Sequence, residues 1–329
     1  MEPATDYIVI LTCPKAFKPP VDQLQRNALE NWIRVGATPH LAGPEKDVKS
    51  LPEDINGEVT IVENSSGSSI LPMFGDILSV VDKAGFPVLC YANADIIFPD
   101  VFRKFKSREG KIFYDETALP DVFLIVGSRW DFEEGVEYSS GEGDSCSDVA
   151  DYLVRLQSRN EVLLHDPDAM DYFVFPLSLF EGLGPLIVGR GGYDNALVAY
   201  CLRRRIPVID VSRDWPVLHQ FLGYGHKKGG KKEVYLGDEA MMNRREYDIV
   251  HSPPNSMDAD MILEDGKLIP ALWRCGFLRR CELTLRFRWG LKYPGYLFRA
   301  LQRIFHTQER ITRREMAKTV QSVLDQSNA

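Results

Sequence analysis

Three places in this sequence set carboxylates, amides and imidazoles where apolar runs end. The first is VLCYANADIIFPDVF (88–102), where Asn93 and Asp95 follow a run apolar enough to be buried on both faces. An aspartate at a strand end is often only a turn cap. Asp95, however, is followed at once by Ile96, Ile97 and Phe98, and an unpaired carboxylate in apolar surroundings is costly. A bound Mg²⁺ or Mn²⁺ would balance it, since such ions take one or two carboxylates and fill their shell with water and phosphate oxygens. The second place is Gly189–Asn195, where Asp194 falls in the first turn of a helix and is favoured there by the macrodipole. Its G-x-G-G spacing is not a dinucleotide fingerprint. The third is HQFLGYGHKKGGKK (219–232): His219 and His226 lie seven apart, but Gly223 and Gly225 favour a basic loop over a helix.

Alternating strands and helices must position these groups. Residues 6–14 read as a buried strand stopped at Pro14. Leu24, Ala28, Leu29, Trp32 and Val35 share one face of a helix over 21–35, and Gly36 ends it ahead of a strand near His40–Leu41. A helix over 71–84 leads to a strand at 87–92, and FLIVGSRWD (123–131) is a further strand. DYFVFP (171–176) is a short strand, and YDNALVAYCLRRR (193–205) is a helix running into a strand at 207–211. This alternation predicts an α/β fold with a mostly parallel central sheet flanked by helices. Ligands of such sheets bind at the carboxyl ends of strands. Thr12-Cys13, Asn93-Ala94-Asp95, Arg129-Trp130-Asp131 and Asp210 all fall there, while Asp171 opens a strand. Residues 133–148, acidic and rich in glycine and serine, read as an exposed loop.

YIVILTCP, CYANADII, DYFVFP, VGRGGYDNAL and HQFLGYGHKKGG, in this order and spacing, resemble glycosyltransferase-like proteins of the GT-A (nucleotide-diphospho-sugar transferase) fold, over residues 6–240. The resemblance implies a nucleotide-sugar donor of UDP or GDP type, a Mn²⁺ or Mg²⁺ cofactor, and a glycan or lipid-linked acceptor. It implies that Thr12 and Cys13 meet the nucleobase and that Asn93-Ala94-Asp95 stands for the D-x-D-type motif. Asp95 would then be the carboxylate ligand of the metal, and Asn93 a ribose or phosphate contact. The first acidic position of that motif is an amide here, which bears on metal dependence. Asp194 would deprotonate the acceptor hydroxyl, implying inversion at the anomeric carbon. His219 or His226 would complete the metal shell, Arg190 would contact the donor, and Lys227 and Lys228 would stabilise the departing diphosphate. Arg129 and Asp171 would grip sugar hydroxyls, with Trp130 or Tyr172 lying against a sugar face. Nucleotidyl transfer on a related fold is the rival enzyme reading, weakened by TCPKAFKPP where such enzymes carry a Gly-rich basic loop. A catalytically decayed binding protein is the non-enzyme rival.

Charge divides the chain. Twelve Lys/Arg against four Asp/Glu from Trp273 onward give +8, so the net −8 leaves −16 on residues 1–272. The expected organisation is a catalytic domain over 1–250, a linker over 251–270 and a basic, aromatic-rich helical extension over 271–329. Pro294 and Gly295 are expected to split that extension into two short helices. The basic and aromatic interleaving of 272–305 suits either a helical cap on the domain or contact with an anionic membrane surface. The acidic body argues against nucleic acid. Six scattered cysteines without C-x-x-C spacing, and an N-terminus without a basic region, point to a cytoplasmic protein, peripheral at the membrane if the tail binds lipid.

Overall fold

The computed structural model describes residues 8–43, 47, 51, 60–63, 88–132, 149–180, 182–220, 230–271, 274–305 and 307–326. The main strands are β1 (Ile8–Thr12), β2 (Ala37–Gly43), β3 (Thr60–Glu63) and β4 (Val88–Ala92). After β5 (Ile96–Ile97) a three-stranded meander follows, β6 (Phe105–Arg108), β7 (Lys111–Tyr114) and β8 (Thr117–Ala118). Then come β9 (Leu124–Val126), β10 (Trp130–Phe132), β11 (Val162–Leu164), β12 (Tyr172–Pro176), β13 (Val208–Asp210), β14 (Leu218–His219), β15 (Met261–Glu264) and β16 (Lys267–Pro270). Helices are α1 (Asp22–Arg34), α2 (Val149–Ser158), α3 (Tyr193–Arg204), α4 (Gly230–Leu236), α5 (Asp238–Glu246), α6 (Phe277–Leu283), α7 (Lys292–Phe305) and α8 (Thr307–Gln326).

The central sheet has the order β16-β15-β13-β9-β12-β4-β1-β2-β3. It is mixed, not the mostly parallel sheet expected. β1, β2, β3 and β4 run parallel, as do β9, β13 and β15, but β12 is antiparallel to both β4 and β9. The cause lies in the route of the chain. After β9 it leaves the carboxyl edge for β10, α2 and β11 and re-enters at that same edge. Returning without a crossover, it can only run antiparallel. Strand faces alternate as period two requires. Ile8, Ile10, Cys90 and Val174 pack with Trp32 of α1 on one side, and Val9, Leu11, Tyr91 and Phe173 pack with α3 on the other.

FLIVGSRWD, expected as one strand, is two strands in different sheets. The chain bends at Gly127, whose missing side chain leaves room for the Tyr172 hydroxyl. A second sheet, β11-β10-β14-β5, results from the bend. Residues 251–270, expected as a linker, include β15 and β16, which extend the central sheet. The C-terminal helices are present, but Pro294 and Gly295 do not split them. α7 starts at Lys292, so Pro294 occupies its first turn, where backbone N–H groups have no helical partner. The break comes earlier, at Gly290 with φ +68°. The helix expected over 71–84 and the acidic loop over 133–148 lie outside the described residues.

Candidate active site

The antiparallel entry of β12 builds the site. Its register sets Tyr172 against Ala92, so Asp171, just before it, meets Asn93, just after β4. The Asn93 N–H donates to the Asp171 carbonyl at 2.9 Å, and the Asn93 side-chain amide donates to the Asp171 carboxylate. The Gly127 bend delivers Arg129 to the same carboxylate, and its Nε also donates to Asp131 at 2.8 Å. Arg129 is buried, so each of these charge-assisted bonds replaces lost solvation.

The second sheet contributes the imidazole. β10 and β14 pair Asp131 with His219, and β14 and β5 pair His219 with Ile96. His219 Nδ1 lies 2.9 Å from Asp131 and Nε2 lies 3.6 Å from Asp95. α1 holds this register: Trp32 donates to the Ile96 carbonyl at 2.9 Å, and Asn31 bonds both the N–H and the carbonyl of Phe98. Burial disfavours a charged His219 and Arg129 repels it, but Asp95 and Asp131 prevail and raise its pKa. Burial likewise opposes ionisation of Asp131, yet His219 and Arg129 pull its carboxyl down to about 2. At Asp95, burial is outweighed by His219, Lys15 and Arg129, so the carboxyl stays below its usual range. One oxygen of Asp95, Oδ1, is buried with no hydrogen-bond partner among the described residues.

α3 brings Asp194. Gly192 caps the helix at φ +88°, a conformation that favours glycine. A side chain at Gly191 would press on the Tyr235 backbone, and the Gly191 N–H donates to Val234 at 2.9 Å. The Tyr193 hydroxyl donates to Asn93 at 3.3 Å and ties this turn to the end of β4. Asp194 is partly exposed at the cleft wall. Burial pushes its carboxyl up to about 7, with Asp168 adding repulsion and backbone N–H groups of Asn195 and Met170 opposing.

Asp131 excepted, these charged groups line one cleft of about 550 Å³, a size suited to a small-molecule ligand. Of the residues singled out from sequence, Asn93, Asp95, Arg129, Asp171, Arg190, Asp194 and His219 all line it. Arg190 is also ion-paired with Glu239. Thr12 and Cys13 do not line it among the described residues: Thr12 is fully buried, and Cys13 is half-buried away from the cleft lining. Lys227, Lys228 and His226 lie outside the described residues. Trp130 and Tyr172 offer no face to a sugar, because both are buried and Tyr172 stacks on Trp215. Asp210, though at a strand end, pairs with Arg274 of the C-terminal extension.

Sequence reasoning missed Lys15, His165, Asp166, Asp168 and Arg244, which also line the cleft. HDPDAMD (165–171) carried the signal for three of them, with a histidine and three aspartates just past β11. Among the described residues no group of three His, Cys, Asp or Glu side chains is arranged to hold a metal. Asp95 and Asp131 raise the pKa of His219, so a proton would compete with a cation for its ring nitrogen. Asp95 Oδ1 could bind a cation together with the phosphates of a ligand.

No family model matches the chain, and no curated protein matches it. Solved structures similar to it include a mannose-1-phosphate geranyltransferase from Thermus thermophilus, at 12% identity over 66% of this chain and 75% of that one, with a TM-score of 0.30. A UDP-glucose pyrophosphorylase complexed with UDP-glucose matches at 11% identity over 65% of this chain and 90% of that one, with a TM-score of 0.28. At such scores the meaning of the cleft has to come from its own residues.

Proposed function

We propose that the protein is a glycosyltransferase, moving a sugar from a nucleoside-diphosphate donor to an acceptor hydroxyl on a glycan or lipid-linked chain. The observation carrying this reading is the contrast among carboxyls in one cleft. Asp95 is held ionised, whereas Asp194, on the same cleft, sits near neutrality, where a base works best. In the reaction the acceptor oxygen attacks the anomeric carbon while its proton passes to Asp194. The bond from that carbon to the diphosphate oxygen breaks, and the electron pair leaves with the phosphate. Lys15 and Arg129 face the cleft with the positive charge to stabilise it. Attack opposite the leaving group inverts the anomeric configuration. Asn93 and Asp171, locked to each other, hold the sugar and ribose hydroxyls. A divalent cation on Asp95 and the donor phosphates would add Lewis-acid charge stabilisation.

A second reading has one observation in its favour: Lys15, in the loop after β1, lines the cleft and lies close enough to stabilise the Asp95 carboxylate. A cation there would suit the triphosphate of a nucleotidyl-transfer substrate. One experiment separates the readings. The protein is incubated with a panel of UDP- and GDP-sugars, and in parallel with nucleoside triphosphates plus sugar 1-phosphates. Release of nucleoside diphosphate from a sugar donor is expected, lost in Asp194→Asn while donor affinity by calorimetry persists. Pyrophosphate release from the triphosphate mixture would replace glycosyl transfer with nucleotidyl transfer. No binding in either arm would favour a scaffold protein on a catalytically decayed core.

A further inference from the structure

The C-terminal extension presents an apolar surface that the cleft does not use. Seven of the thirteen exposed large hydrophobic residues among the described ones fall in residues 277–305. On α7, Tyr293, Leu297, Ala300 and Ile304 recur at spacings of four, three and four and so form one stripe along the helix. All four are exposed, with Tyr293 at 89%, Leu297 at 62% and Ile304 at 67%. Trp289, 62% exposed, and Leu291 extend the stripe beyond the start of the helix. Gln302, on the opposite face, is buried and donates to Glu282 at 2.9 Å. The helix is anchored by one face, and its apolar face looks outward.

Charge identifies what this face meets. No Asp or Glu occurs between Glu282 and Glu309, while Arg288, Lys292, Arg299 and Arg303 do. Arg288 and Lys292 pair with Asp260 and Asp248 at 2.6 and 3.3 Å. Arg299 and Arg303, about a quarter-turn from the stripe, line a second cavity of about 440 Å³ together with His251, Arg279, Gln302 and Gln308. Among the described residues no carboxylate lines that cavity, and Arg279 is already engaged by Asp258 and Glu282. An outward apolar stripe with tyrosine and tryptophan at one end and guanidinium groups along its flank is the pattern of a helix lying in a lipid headgroup layer. A second copy of the chain fits less well. An isologous contact would bring Arg299 and Arg303 toward their own copies. The acidic body, at −16, would be repelled by the same anionic surface, which leaves this face as the one that can approach it.

We infer that α7 and the preceding Trp289–Leu291 segment dock on an anionic phospholipid membrane, with a headgroup phosphate entering the cavity lined by Arg299 and Arg303. The inference stands apart from the chemistry assigned to the cleft.

Co-sedimentation of the full chain with vesicles tests it. Vesicles of phosphatidylglycerol mixed with phosphatidylcholine are expected to carry the protein down, and vesicles of phosphatidylcholine alone to bind it far less. Added salt should weaken the binding. Leu297→Glu with Ile304→Glu should cut it at least tenfold with the melting temperature unchanged, because both side chains are exposed. Arg299→Gln and Arg303→Gln should each cost about fivefold. Donor hydrolysis in solution should be the same in the double variant and in both single ones, which keeps failure here distinct from failure of the transferase reading. Absence of binding to anionic vesicles, or equal binding to neutral ones, overturns the proposal. So does a concentration-dependent dimer, seen by ultracentrifugation, that the Leu297→Glu and Ile304→Glu changes dissolve.

Discussion

Two buried charge networks in this protein are built from the same residue types and end differently. In the C-terminal network Arg274 holds Asp210 and Glu315, Arg213 bridges Glu315 and Glu264, and Glu282 takes Arg279 and Arg286. Each carboxylate there meets a guanidinium. In the cleft, Arg129 serves Asp131 and Asp171, and His219 lies between Asp131 and Asp95. Asp194 has backbone N–H groups but, among the described residues, no cation paired with it. Asp95 keeps one buried oxygen unbonded among the described residues. The first network closes on itself and cements the extension to the sheet. The second is left open, and perturbed carboxyls of this kind cluster at functional sites.

Breaking the closed network should cost most. Arg274→Ala would leave Asp210 and Glu315 buried without their shared partner, and a loss of about 3–5 kcal/mol of stability is expected. Denaturant unfolding measures it; a loss below about 1 kcal/mol would mean the network is hydrated and the comparison false. In the open network, Asp194→Asn should lower transfer about 10²- to 10⁴-fold without unfolding the protein. In the wild type the rate should rise with pH and level off above about 7, as Asp194 loses its proton, and this step should vanish in the variant.

The same substitution sharpens the contrast through stability. The Asp194 carboxyl is raised from 3.8 to about 7, so between these values the folded state holds a proton that the unfolded state releases. Stability from this group therefore falls as pH rises through that window. Asp194→Asn should be more stable than wild type at pH 8, by a few degrees in melting temperature, with the gain fading toward pH 4. A variant less stable than wild type at pH 8 would mean Asp194 is a structural partner. The smallest effect belongs to Thr12, whose buried hydroxyl has no partner among the described residues. Thr12→Val should gain about 1 kcal/mol and leave donor affinity unchanged. Weakened donor binding would return Thr12 to the nucleobase contact that the sequence suggested.

Much of the frame was readable from pattern. The strand ending at Ala92, the α1 face with Leu29 and Trp32, and the helix opening at Tyr193 followed from period and punctuation, because local burial dictates them. The clustering of Asn93, Asp95, Asp194 and His219 was reachable because strand ends converge. What escaped was long-range geometry. Nothing local in FLIVGSRWD distinguishes one strand from two, and Gly127 alone marks the bend. The direction of β12 depends on where the chain re-enters the sheet. Asp210 looks like a site residue until Arg274 arrives from 64 residues away.

The way β12 is inserted has a kinetic consequence. Hydrogen bonds knitting the cleft join residues 78, 88 and 100 positions apart, from Asn93 to Asp171, Asp131 to His219, and Asn93 to Tyr193. Closing loops of that length is slow, and no short segment can hold the constellation in isolation. The cleft should therefore be among the last regions to assemble, so that in a refolding time course catalytic competence trails collapse and helix formation.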